Sequence, residues 1–387
     1  LSPQIPLLIV SDGASNHTGL ARIARGLAYL LTSIPQLDVG YLGRGDVGRK
    51  KFPWVSYPYP ESQQWGEHFI EDAWMDLAGD KRGIVLTVWD ATRLLWFADP
   101  VGMPDQLQKF LLSNRFERWG YFMQDSEGPV RGTLPLETAH VMAQYDRVLL
   151  ASKWAYGITR NTLPNHKDID WLPHGMDTDK FKPMDGAYMR SAWGIPQGAK
   201  LIGCVASNQE RKHWPTMIEA VSMIPNAYLW MHTDTIDPRR YWNFQALLEE
   251  YGMTERVRTD GERKLADVDL AMRYSACDAT LLISGGEGFS FCTAESLACG
   301  IPQVTGSYSA QAELNFPDCL VEPAAFNVLT RHNVNRAVYR ASDVALKLDH
   351  VLKQTNFSEK CRAQTSHLHW EKIGLEFKKW VTKGLPK

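Results

Sequence analysis

Apolar residues along this chain fall into two patterns that alternate. Unbroken runs of strand length occur at residues 7–10, 38–42, 83–89, 119–124, 147–152, 200–205, 227–232, 278–283 and 303–305. Between them lie stretches in which apolar positions recur every three or four residues. The first carries Leu20, Ile23, Ala24, Leu27, Leu30 and Leu31, the stripe of a helix packed on a core. The same spacing predicts helices at 216–223, 243–251 and 264–275, and residues 334–380 are helical by period. Continuous strands separated by helices predict an α/β protein whose parallel sheets are covered on both faces. Residues 43–69 carry neither period, and so long a loop inside a compact domain is functional or mobile.

One strand, loop and helix unit stands out. The run at 278–283 leads into Ser284-Gly285-Gly286-Glu287-Gly288-Phe289-Ser290, and Gly300 and Pro302 mark the end of the helix that follows. Backbone N–H groups of such a loop, aimed over a helix N-terminus, suit phosphate. No lysine follows the glycines, so the phosphate loop of nucleotide triphosphatases is absent. Two carboxylates take its place, Glu287 in the loop and Glu295 on the helix, with seven residues between them. A glutamate in an apolar, small-residue helix is costly to bury without a partner, and a ribose diol is one partner that satisfies it.

Glu287-Gly-Phe-Ser-Phe-Cys-Thr-Ala-Glu295, continued by Ser-Leu-Ala-Cys-Gly-Ile-Pro, resembles the E-x7-E motif of retaining GT-B glycosyltransferases of the GT4-like kind. The resemblance implies two Rossmann-like domains facing a central cleft, with a C-terminal helix crossing back to the N-terminal domain. It also implies roles. Glu295 would hold the ribose of a nucleotide-diphosphate sugar, Glu287 would meet the donor sugar, and the amides of Gly288, Phe289 and Ser290 would hold the diphosphate. Trp171-Leu-Pro-His174-Gly-Met-Asp177, with Phe181 and Pro183, resembles the element that closes the N-terminal domain of such enzymes. That sets a boundary near 179–186, with domains at 1–180 and 181–365 and the returning helix at 366–387. The family grips the diphosphate with an arginine and a lysine after the first strand of the second domain. Arg211 and Lys212 match the end of that element, while Ser207 stands where the arginine is usual.

In the first domain the resemblance makes Gly13, Thr18 and Gly19 cleft residues, against the alternative that the glycines only serve a tight turn. Asp90 and Asp125 follow strands, where charged groups point into the ligand crevice of open α/β sheets, unless they cap the next helix. Either would orient the acceptor or hold the donor sugar.

Composition narrows the class further. The chain has 387 residues, room for two domains, with 44% hydrophobic and 22% charged residues. A net charge of −2 gives no global pull toward nucleic acid or anionic membrane. Six cysteines without a C-x-x-C pair suit free thiols in a reducing compartment, so the expected location is cytoplasmic, the host cytoplasm for a phage-encoded chain. No apolar run approaches the ~20 residues of a membrane span. The D-x-D triplets Asp168/Asp170, Asp177/Asp179 and Asp267/Asp269 read as loop caps, and no metal or other cofactor is expected.

The acceptor is read from two stretches. Residues 43–69 hold Arg44, Arg49, Lys50 and Lys51 together with Phe52, Trp54, Tyr57, Tyr59 and Trp65. Basic and aromatic side chains suit an anionic or planar acceptor, unless Pro53, Pro58 and Pro60 merely set an extended segment packed on the domain. The opening Thr18-Gly-Leu-Ala-Arg-Ile23 looks like phage-type relatives, some of which glycosylate hydroxymethylated bases in viral DNA. The expected acceptor is therefore a hydroxymethylated pyrimidine in DNA, with a glycan, lipid or protein hydroxyl as the alternative. A nucleotide-sugar 2-epimerase and a sugar-nucleotide-binding module without catalysis are the remaining readings.

Overall fold

The computed structural model describes residues 4–46, 51–237, 239–354 and 357–386. The chain forms two compact units. The first runs to Gly175 and takes in Arg331–Asn333 and the chain from Trp370 on, and the second comprises Met176–Thr330 and Val334–His369.

Seven strands make the sheet of the first unit: β1 Ile5–Asp12, β2 Leu37–Arg44, β3 Val55–Tyr59, β4 Gly83–Thr87, β5 Phe116–Phe122, β6 Arg147–Leu150 and β7 Ile169–Trp171. Their order is β3-β2-β1-β4-β5-β6-β7, and every pairing is parallel. The second unit repeats the plan with β8 Lys200–Val205, β9 Ala227–His232, β10 Val257–Thr259, β11 Ala279–Leu282, β12 Gln303–Gly306 and β13 Leu320–Val321. Their order is β10-β9-β8-β11-β12-β13, again wholly parallel. The strands are continuous in sequence because both faces of each sheet are covered; Leu7, Leu8, Ile9 and Val10 are all fully buried. Both sheets reverse direction once, between β1 and β4 and between β8 and β11. In open α/β sheets ligands bind outside the carboxyl ends of the strands at such a point.

Two sequence expectations are corrected. Residues 43–69 are not structureless, since β3 adds to the sheet as an edge strand beside β2. Pro58 is tolerated there because an edge strand has one side with no partner to bond. Residues 334–380 are not helical throughout. Val334–Val338 is β15, paired antiparallel with β14 Ala325–Leu329 in a hairpin. The helices Ala341–Leu352 and Ser358–Thr365 follow it.

The last helix, Trp370–Gly384, packs within the first unit. Ile373, Gly374, Phe377, Trp380 and Val381 form its buried stripe. Arg147 donates to the Trp380 carbonyl at 2.9 Å, and its guanidinium lies over the Trp119 and Trp380 rings at 4.6 and 4.1 Å. Among the described residues no helix is long and apolar enough to cross a membrane.

Candidate active site

The loops after β8 and β11 flank the reversal point of the second sheet, and the backbone ties them together. The Gly285 N–H donates to the Arg211 carbonyl at 2.7 Å, the His213 N–H donates to the Ile283 carbonyl at 3.0 Å, and Lys212 and Ser284 form an antiparallel bridge. This pairing brings Arg211, Lys212 and Glu287 into contact. Arg211 Nη1 lies 2.7 Å from Glu287 Oε1, and Lys212 Nζ bonds the same oxygen. Glu287 is 6% exposed and Lys212 5%, so the pair is nearly dry. Burial pushes the Glu287 carboxyl up, but the Arg211 and Lys212 charges outweigh it and hold the group at about 2. Burial, with Arg211 repulsion, pushes the Lys212 ammonium down, against the pull of Glu287.

The backbone around Glu287 is held in costly conformations. Ser290, at the N-cap of the helix Phe291–Ala298, has φ 83° and makes no side-chain capping bond. Its Oγ lies 2.6 Å from Thr293 Oγ1 instead. Ser309 has φ 64°, its Oγ accepts from the Glu287 N–H at 2.8 Å, and the next N–H, of Ala310, donates to the Glu287 carbonyl at 3.2 Å. A left-handed non-glycine residue costs of order 1–3 kcal/mol and persists where surrounding structure over-determines it. Glu287 is thus clamped from both main-chain sides.

Glu295 is 3% exposed and accepts a hydrogen bond from the Tyr274 hydroxyl at 3.2 Å. The partner that its burial demands is therefore supplied, at least in part, by the protein. Gly288 is half-buried, while Phe289 and Ser290 are buried beside it in the same loop. Ser207 contributes main chain, its carbonyl accepting from Trp214 Nε1 at 3.1 Å. The neighbouring Asn208 is 1% exposed and clasps Trp242, with Oδ1 accepting from the Trp242 N–H at 2.8 Å.

The remaining candidates belong to the first unit. Gly13 follows β1 so closely packed that a Cβ there would stand 2.7 Å from the Asp46 backbone nitrogen. At Gly19 a Cβ would meet nothing within 4 Å. Thr18 caps the helix Gly19–Thr32, accepting from the Ala21 N–H at 3.1 Å and donating to Asp12 Oδ2 at 2.7 Å. Asp90 makes no capping bond, and its carboxylate pairs with Arg93 at 3.2 Å. Asp125 accepts from the Ser126 hydroxyl at 3.0 Å. His174 is 1% exposed with Nδ1 2.7 Å from the Tyr121 hydroxyl, and burial drives its pKa down to about 3.

The aromatic side chains of 51–69 pack on the first unit. Phe52 stacks on Trp54 at 4.7 Å, Trp54 on Tyr41 at 5.8 Å, and Tyr59 on Phe69 at 5.1 Å. Trp65 has the Arg44 and Arg93 guanidinium groups over its ring at 4.8 and 4.7 Å. Lys51 is exposed, and Arg49 and Lys50 lie outside the described residues. In the D-x-D triplets Asp168 pairs with Arg147 at 2.7 Å, and Asp177 and Asp267 pair with Lys180 at 2.9 and 3.6 Å. Among the described residues no group of three or more His, Cys, Asp and Glu is arranged to hold a metal ion.

Sequence reasoning did not single out Ser309, Tyr274, Asn208 or Trp242 as individual residues; Asn208 lies three residues before Arg211.

Two solved structures decide the fold. Sucrose-phosphate synthase from Thermosynechococcus elongatus superimposes with a TM-score of 0.74 at 17% identity, covering 98% of each chain. HepE from Anabaena, in complex with UDP and glucose, gives 0.72 at 14% identity, covering 98% of this chain and 100% of that one. The chain has the GT-B fold. WaaG, a glycosyltransferase involved in lipopolysaccharide biosynthesis, shares this GT-B architecture at a TM-score of 0.68 and 14% identity, covering 98% and 100%. No family model matches the chain. Among curated proteins, the D-inositol 3-phosphate glycosyltransferase of Mycobacterium sp. (strain KMS) is 28% identical over 144 residues, 36% of this chain and 32% of that protein. Its counterpart in Mycobacterium tuberculosis (strain F11) is 26% identical over 144 residues, 36% and 29%. The match thus spans about a third of the length of these curated relatives.

Proposed function

We propose that this protein is a retaining glycosyltransferase of the GT4-like kind, moving a sugar from a nucleotide-diphosphate sugar to an acceptor hydroxyl. The observation that carries the reading is the Lys212–Glu287–Arg211 cluster. It lies at the reversal point of a parallel sheet, beside a helix N-terminus that no side chain caps. Two cations against one carboxylate leave this three-residue cluster one positive charge in excess, and a diphosphate supplies the opposite sign.

In this reading the bond from the anomeric carbon to the diphosphate oxygen breaks while the bond to the acceptor oxygen forms on the same face. The acceptor proton passes to the departing phosphate oxygen, so no protein nucleophile is required. Lys212, Arg211 and the amides of Gly288 to Ser290 stabilise the charge as it develops. Glu287 orients Lys212 and meets the donor sugar, and Glu295 holds the ribose diol with Tyr274 fixing its carboxylate. Because side chains and amides neutralise the leaving group, the reaction runs without a metal.

For the acceptor we favour a small polyol or glycan hydroxyl over a pyrimidine in DNA. The aromatic side chains that would hold an extruded base are occupied in packing. The curated relatives carry inositol 3-phosphate in their name, and HepE was solved with UDP and glucose. UDP-glucose and inositol phosphate are therefore the first donor and acceptor to test.

The experiment is label transfer from UDP-glucose and other nucleotide-sugars, with EDTA present, to inositol phosphate, simple glycans and hydroxymethylated DNA. Transfer that survives EDTA, with Lys212→Ala lowering kcat more than it raises donor KM, is the expected outcome. Conversion of donor to a new sugar nucleotide without acceptor makes the protein an epimerase. Donor binding with no turnover makes it a binding module. Label entering only hydroxymethylated DNA restores the DNA acceptor.

A further inference from the structure

The second unit contains a pocket of about 490 Å3 that shares only Arg211 with the proposed donor cradle. That volume falls within the roughly 300–1,000 Å3 of small-molecule sites. One wall is the turn after β8 with the start of the helix Trp214–Ser222, and the opposite wall is the β14–β15 hairpin. Cross-strand partners share a face of a hairpin. Asn327 is paired with Arg336, and both line the pocket with Leu329 and Val338. The hairpin is anchored to the glycine loop, since the Ala337 N–H donates to the Gly285 carbonyl at 3.2 Å.

The lining combines cations with a fixed aromatic plate. Trp242 Nε1 donates to the Gln209 and Lys212 carbonyls, both at 3.0 Å, so the indole cannot rotate without breaking bonds. Tyr241 meets it edge-on at 4.9 Å. Arg211, whose charge is shared with Glu287, and Arg336 bring guanidinium groups to the lining, beside the carboxylate Glu210, which interacts with the Tyr241 hydroxyl. His213 stays neutral in the physiological range, because burial and the Arg336 charge bring it down to about 4. Guanidinium groups match phosphate and carboxylate oxygens, and a rigid indole face matches the C–H face of a ring.

We propose that this pocket is a second ligand site of the protein, binding an anionic sugar, with the anionic group on Arg211 and Arg336 and the ring on Trp242. Its link to the donor cradle is Arg211, which lines this pocket and also touches Glu287 and the Gly286 carbonyl. The ligand is either an acceptor of the transfer reaction or a free effector; both present the same chemistry here.

The test is isothermal titration of the full chain with glucose 6-phosphate, glucuronate, glucose and inorganic phosphate. The two anionic sugars are expected to bind at least about tenfold more tightly than neutral glucose or phosphate alone, since charge and ring both contribute. Arg336→Gln, which keeps the carbon stem packed on Gly285, should weaken them about tenfold or more. Asn327→Trp, on an exposed hairpin position, should fill the pocket and abolish binding with the melting temperature unchanged. Equal affinities for all four probes, or no binding by any, overturn the proposal. So does anionic-sugar binding that neither variant weakens. Label recovered on the anionic sugar identifies an acceptor, and binding without label identifies an effector. Failure to bind any nucleotide-sugar would sink the transferase reading and leave this result standing.

Discussion

The reversal points of the two sheets are topologically alike and chemically unlike. Beside β8 and β11 the charges are buried, shared and clamped, as Lys212 and Arg211 converge on one oxygen of Glu287 between two serines in left-handed conformations. Beside β1 and β4 the charges are locally satisfied, the Asp90 pair half-open and Asp12 buried. Asp90 pairs with Arg93 three residues on, side chains 42% and 32% exposed, and Asp12 takes the Thr18 hydroxyl. The same topology thus offers one loop whose charges are fixed, as the proposed diphosphate site requires, and one in which an exposed pair can still exchange partners. A charged leaving group rewards the first kind, because preorganised dipoles cost no reorganisation at the moment of reaction.

The largest effect should come from deleting the shared acid. Glu287→Ala leaves Lys212 buried beside Arg211 with its counter-charge gone, and breaking such a pair costs about 3–5 kcal/mol. Asp90→Ala breaks an exposed pair worth less than about 1 kcal/mol. Urea unfolding of both variants measures the contrast, and equal losses would erase the distinction between the loops.

Next in size is the glycine pair of the first loop. Gly13→Ala forces a methyl group against the Asp46 backbone and should cost about 1–3 kcal/mol, the usual range for overpacking. Gly19→Ala enters open space at a helix start and should change stability by less than about 0.5 kcal/mol. A fall in transfer rate with Gly19→Ala at unchanged stability would make Gly19 a ligand-facing position.

How much of this was legible in the sequence follows from where each signal resides. The buried strands announced themselves as unbroken apolar runs. Strand β3 did not, because an edge strand with Val55 and Ser56 exposed and Pro58 inside it has no such run. β15 was read as helix because Val334-Asn-Arg-Ala-Val338 is too short for periodicity to choose between the two states. Arg211 and Lys212 were visible through their resemblance to a known family, and Glu287 and Glu295 through that resemblance and their strand, loop and helix unit. Ser309 and Tyr274 were not, since their roles depend on a backbone angle in one case and on packing between helices in the other.

A further contrast lies in the pH dependence of stability. Glu287 is held at about 2, below the usual 4.5, so its contribution is complete above pH 4.5 and disappears as the pH falls toward 2. His174 is depressed from 6.5 to about 3, so the unfolded chain takes up its proton first and stability drains away below pH 6.5 toward 3. Denaturant midpoints followed against pH should show His174→Phe flattening the higher window and Glu287→Gln only the lower one. A variant that flattens the other's window would reverse the assignment.

The Trp370–Gly384 helix also bears on how the protein is born. Its Trp380 ring closes over Arg147 and Trp119, and the Trp370 ring lies so close to Gly26 that a Cβ there would stand 2.6 Å away. Synthesis runs from the N-terminus, and domains generally fold as they emerge. Here the first unit lacks its own covering piece until residues 370–384 have been made. The second unit, completed at His369, is whole before the first, and the nascent chain must keep a Trp- and Arg-lined face open while residues 176–369 are added.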